Sequence, residues 1–250
     1  MVAAIVSLAA VGAQVVSPMN AVAQVEQPPQ GTVACGQVVQ GNVTLTANLN
    51  CTGDGLIVGD DGTTINLNGF GIYGPGADSS KVGIGVSEDN VEINGPGIIS
   101  GFQAGVLATG ASELMTNSLI MQNNQIAAFF TGADLASVEE NIIKNNNIAV
   151  ASHSASGINI ESNLMDANAL AGVTFVNTDT SQLEFNNIAG SATGAYIDAQ
   201  SEQNQININN LVGNQLDVNN ANGLAPNVNS NGYSHNNCNT SNPSGLCTGQ

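Results

Sequence analysis

"VEENIIKNNNIA", residues 138–149, decides how the chain folds. Four asparagines, Asn141, Asn145, Asn146 and Asn147, stand there among side chains apolar enough for a core. Asparagine is poor in helix interiors and poor in strands, so its place in such a stretch needs a structural cause. The cause is repetition. "VEIN" ends at Asn94, "LMTN" at Asn117, "VEEN" at Asn141, "INIESN" at Asn163, "LEFN" at Asn186 and "ININ" at Asn209, in steps of 23, 24, 22, 23 and 23. Three residues before each asparagine is an apolar side chain: Val91, Leu114, Val138, Ile160, Leu183, Ile206. A second register sets small or branched residues two apart, as in Ile84 and Val86, Val106 and Ala108, or Val173 and Phe175. Period two denotes strands, and a fixed period near 23 denotes a solenoid.

Two solenoids have periods of this size. A leucine-rich repeat requires an apolar residue five before its asparagine, and here those positions include Asp89, Ser112, Ser181 and Asn204. That reading fails. A parallel β-helix, with two or three short strands per coil separated by bends, fits. At a bend, asparagine tolerates the left-handed backbone, and its amide can bond the equivalent group one coil away. Asn94, Asn117, Asn141, Asn163, Asn186 and Asn209 are therefore expected to form a ladder, with Asn124, Asn146 and Asn168 at a second bend.

Composition excludes several partners. The chain of 250 residues carries a net charge of -17 although only 8% of its residues are charged, because it has two lysines, Lys81 and Lys144, and no arginine. It cannot neutralise a nucleic-acid backbone, and an anionic membrane would repel it. The first 23 residues, apolar and uncharged and ending in small residues at Ala21 and Ala23, are expected to be a signal peptide, the alternative being a membrane anchor. No other segment could span. The mature chain is expected outside the cell or on its surface, or in the periplasm of a two-membraned host. Residues 24–42 would then be an extension and cap, 43–220 the solenoid of about eight coils of 22–24 residues, and 221–250 a C-terminal cap.

The opening "CGQVVQGNVTLTANLNCTGDGLIVGDDGTTINLNGFGIYGPG", with "GIGV" and "VEINGPGIISGFQAGV" after it, resembles the exported right-handed parallel β-helix proteins of the pectate-lyase-like superfamily. The resemblance covers about residues 33–220. It implies an all-β, single-stranded right-handed helix with a cysteine pair near the first coil, corresponding to Cys35 and Cys51. It leaves function open, since the superfamily holds lyases, epimerases, hydrolases and surface proteins. About eight coils at ~4.8 Å put the chain ends about 35–40 Å apart, too far for an end-to-end disulfide. The pairing expected is Cys35 with Cys51 and Cys238 with Cys247.

Candidate chemistry is sparse. The lyases of this superfamily use an arginine or lysine base with Ca²⁺, and neither lysine here falls on an opening strand where such a cleft would run. Asp60 and Asp61 lie in a turn sequence, "VGDDGTT". Glu92, Glu139, Glu161 and Glu184 each precede a ladder asparagine by two, which reads as a solvated sheet face. Glu139, Glu161 and Glu184 are the candidates should the chain take Ca²⁺; otherwise no cofactor is expected. Met121, Ile143 and Met165 share a column and read as core, and Met115 stands apart. On the opening strands, alternation sends Gly85, Leu107, Phe129, Ala151, Thr174, Tyr196 and Asn219 to solvent. Leu107, Phe129, Thr174 and Tyr196 form the candidate binding face, with Leu107 and Phe129 expected to be exposed. His153, Tyr196 and Asp198 are the candidate acids and bases, although two coils, ~10 Å, separate the coils of His153 and Asp198. The reading expected from these residues is a non-catalytic binding or structural module contacting polysaccharide or a cell-surface protein. The alternative is a polysaccharide lyase or epimerase, with metal delivery behind both.

Overall fold

The computed structural model describes residues 33–247. The expected signal peptide and most of the extension after it lie outside the described residues.

Branched aliphatics repeat in register because a strand one residue out of phase would turn its core side chains to water. The chain answers with a parallel right-handed β-helix of about nine turns, one more than the repeat count predicts. One sheet stacks ten strands, from Gln37–Val39 to Ser241–Asn242; a second sheet of fourteen strands carries the rest of each coil. The solenoid thus starts before residue 43 and continues past 220. Gly232–Ser234 pairs with the strand at Gln205–Asn207, and Ser241–Asn242 pairs with Val218–Asn219. The described residues of the C-terminal segment add a turn, pairing with the preceding coil and with none of the earlier strands.

Several inward columns fill the interior, three of them almost wholly aliphatic. Leu56, Ile84, Val106, Ala128, Val150, Val173, Ala195 and Val218 align in the first sheet. Ile65, Ile93, Thr116, Val138, Ile160, Leu183 and Ile206 align along one half of the second sheet, and Ile72, Ile99, Met121, Ile143, Met165 and Ile188 along its other half. Every one is buried, each branched or thioether side chain contributing about 1.5–3 kcal/mol. The two bridges, Cys35–Cys51 and Cys238–Cys247, with Cα atoms 5.5 and 5.2 Å apart, close the two ends as expected.

The asparagines at the main bend are joined from coil to coil. The N–H of Leu119 donates to Oδ1 of Asn141, Asn141 to Asn163, Asn163 to Asn186, Asn186 to Asn209 and Asn209 to Asn236, all at 2.9–3.0 Å. Each amide Nδ2 also donates across a coil to a backbone carbonyl, such as that of Val138 for Asn163. Asn94 and Asn117 are not in this stack. Strand register sets Asn117 against Asn94 on one side and Glu139 on the other, two residues short of the bend. Leu119 occupies the ladder position in that coil, so the 24-residue step to Asn141 joins two different columns. Two further stacks serve other bends: Asn124, Asn146 and Asn168, and then Ser181, Asn204 and Asn231.

Candidate functional site

The outward column of the ten-stranded sheet runs Gly85, Leu107, Phe129, Ala151, Thr174, Tyr196, Asn219. Leu107, Phe129 and Tyr196 are half-buried and not fully exposed, while Ala151 and Thr174 between the two aromatic side chains are buried. Ala151 and Thr174 are short, and stacked between longer neighbours in the same column they leave little surface to water. The result is a floor of small side chains between an aromatic residue at each end, three coils or about 14 Å apart. Thr174 Oγ1 in this floor is buried and has no hydrogen-bond partner. Nothing in the sequence distinguished it from the other outward residues.

The acid–base candidates do not combine. Asp198 is buried, and its carboxylate accepts hydrogen bonds from the N–H groups of Asn177 (3.1 Å) and Gln200 (3.1 Å) and from the hydroxyl of Ser201 (2.7 Å). It is a bend-forming group. Burial, and then the negative charge of Asp198, push the Tyr196 phenol above its ordinary value, so it stays protonated at neutral pH. His153 faces Thr131 and Val176 across the sheet.

The carboxylates also rearrange. Asn94, Asn117, Glu139, Glu161, Glu184 and Asn207 form one outward column, and Glu92 belongs to another, opposite Met115. Amides separate the acids: Asn159 donates at 3.4 Å to both Glu139 and Glu161, and Asn207 at 3.2 Å to Glu184. Among the described residues no three His, Cys, Asp or Glu side chains converge on a point where a cation would sit. Glu139, Glu161 and Glu184 point outward on successive coils and make no cage for Ca²⁺.

The sequence matches the family described as periplasmic copper-binding protein (NosD) over residues 47–245. The chain belongs to the NosD family. Its fold is similar to that of the enzymatically active domain of tailspike protein 2 of bacteriophage CBA120 (TM-score 0.57, 15% identity, 80% of this chain and 34% of that chain). It is also similar to full-length tailspike protein 2 from Escherichia coli O157:H7 bacteriophage CAB120 (TM-score 0.51, 16% identity, 79% and 34%). The chain spans about a third of the length of these tailspike chains. No curated protein matches the sequence. The copper of the NosD description finds no fitting donor set among the described residues. All four cysteines are in disulfides; Met121 and Met165 are buried in the core with Ile143 between them; His153 lies on the first sheet and His235 on a bend near the C-terminus.

Proposed function

We propose that the chain is an exported, non-catalytic member of the NosD family that holds a neutral polysaccharide along the column Leu107, Phe129, Thr174, Tyr196. The observation that carries this reading is the unpartnered hydroxyl of Thr174, buried in the floor between Phe129 and Tyr196. A buried hydroxyl without a partner costs about 1–3 kcal/mol. A sugar hydroxyl would supply the bond once the side chains above it part, while Phe129 and Tyr196 offer apolar ring surface. The net charge of -17 disfavours acidic polymers in the absence of cations. Two of the three acid–base candidates disfavour a lyase or epimerase reading, because Asp198 is committed to the bend and Tyr196 keeps its proton. The periplasmic description of the family supports a location beyond the cytoplasmic membrane.

The test is titration calorimetry of the wild type, Phe129→Ala and Thr174→Val with dextran, amylose and polygalacturonate. Thr174→Val should preserve or raise thermal stability while weakening neutral-polymer binding at least fivefold, and Phe129→Ala should weaken it further. Wild-type and variant affinities that agree for every polymer would reject this face. Product release on incubation with any of the three would reject the non-catalytic reading.

A further inference from the structure

One bend of the solenoid breaks its own local rule. Residues 118, 140, 162, 185, 208 and 235 all stand immediately before the ladder position, with φ between +54° and +59°. Glycine and asparagine take this region cheaply, whereas a β-branched residue there is a true outlier. Four of the six are Ser118, Glu140, Ser162 and His235, but Phe185 and Ile208 stack on adjacent coils, 51% and 47% exposed. Their side chains give little to the core and strain the backbone, as does Leu135 (φ +54°, 60% exposed) on another bend, but only Phe185 and Ile208 stack on adjacent coils beside a column of glutamates.

A second exposed apolar pair lies at the same bend, one position after the ladder asparagine, in the column that Asn187 continues, whereas Glu140 and Ser162 precede Phe185 in its own column. Ile142 and Leu164, paired across the two preceding coils, are 39% and 43% exposed. Four successive coils therefore present Ile142, Leu164, Phe185 and Ile208 outward around one corner. Beside them on the same coils is the half-exposed column Glu139, Glu161, Glu184. We propose that this corner docks an extended segment of another protein in which lysine or arginine alternates with aliphatic residues. Lying along the bend, such a segment would send its aliphatic side chains to one side, toward the apolar pairs, and its bases to the other, toward the glutamates; the bases repeat every ~6.7 Å and the coils every ~4.8 Å, so flexible lysine or arginine side chains would share the three acids and not pair with them one for one. A second copy of this chain is a poor occupant. Of its two bases, Lys81 pairs with Asp54 at 3.7 Å, and Lys144, two residues from Ile142, is left to offset two opposed glutamate columns. The proposal is independent of the polysaccharide face, which lies on the other sheet.

Fluorescence anisotropy at physiological salt would measure binding of three labelled 14-residue peptides, alternating Leu–Lys, Ser–Lys and Leu–Glu, to the full chain. The Leu–Lys peptide should bind at least tenfold more tightly than either other peptide. F185N with I208N, and separately E139Q with E161Q and E184Q, should each weaken it at least fivefold, whereas L135S, at an exposed leucine on a different bend, should not. Asparagine suits the bend, so F185N with I208N should leave Tm unchanged or raise it. A fall in Tm of more than about 3 °C would assign the two side chains to the chain's own packing and overturn the proposal. Equal binding of the Ser–Lys peptide would reduce the face to bulk charge and overturn it. So would a wild type that self-associates and becomes monomeric on F185N with I208N, since the occupant would then be a second copy.

Discussion

Oδ1 of Asn163 accepts two hydrogen bonds from Asn141 on the neighbouring coil, from the backbone N–H at 2.9 Å and from Nδ2 at 3.2 Å. One side-chain oxygen thus satisfies both a buried bend N–H and the amide beside it. Asn163→Leu would strand the N–H of Asn141 and free the carbonyls of Val138 and Glu161 from its Nδ2. The expected loss is about 2–3 kcal/mol, read from the urea midpoint. Asn94→Leu, on an outward strand position, should cost less than about 0.5 kcal/mol.

The second stack has a gap. Asn124, Asn146 and Asn168 are followed by Ser191 and then Asn214, and the Ser191 hydroxyl is buried without a partner, too short to bridge. Ser191→Asn should complete the column, its amide reaching the carbonyl of Met165 as Asn168 reaches that of Ile143. A gain of about 1 kcal/mol is expected in thermal or urea unfolding, and a loss would show that the site has no room.

The Tyr233 hydroxyl accepts a bond from Asn220 Nδ2 at 2.7 Å at the C-terminal end of the core. Burial pushes its phenol well above the ordinary value, with the Asn220 bond opposing. The folded state then keeps a proton that the unfolded chain releases above about pH 10, so this contribution is whole below pH 10 and declines as pH rises. Wild-type stability should fall between pH 10 and 12 by up to about 1.4 kcal/mol per unit from this group. Tyr233→Phe should flatten that slope, which urea titrations at several pH values would record.

Replacing Cys238 and Cys247 by alanine opens a bridge of sequence separation 9 and should cost about 2–3 kcal/mol. Because each coil contacts mainly its neighbours, the loss should appear first as faster amide exchange in the last turn, around residues 232–242. Uniform acceleration through the whole chain would show a single cooperative unit.

Much of this architecture was legible in the sequence because solenoid columns repeat in register: the β-helix, the outward column and the disulfides follow from spacing. The ladder's start did not. In "VEIN" and "LMTN" an apolar residue precedes asparagine by three, as in "VEEN", yet Leu114 aligns one position before Ser137 and not with Val138. Two inward columns two residues apart look alike when both hold aliphatics, and only strand pairing separates them. The unpartnered Thr174 and the left-handed Phe185 and Ile208 were equally silent, since burial on an outward face leaves no trace in residue type and Phe and Ile are not the residues that mark a left-handed bend.

In-register columns also make the length of this molecule editable. Ile142 pairs with Leu164 and Asn141 stacks on Asn163, so excising residues 142–163 would rejoin the chain with every neighbour replaced by its equivalent one storey along. The shortened protein would be ~4.8 Å less tall and otherwise of unchanged cross-section. A scaffold built this way behaves as a ruler whose graduations can be added or removed one at a time.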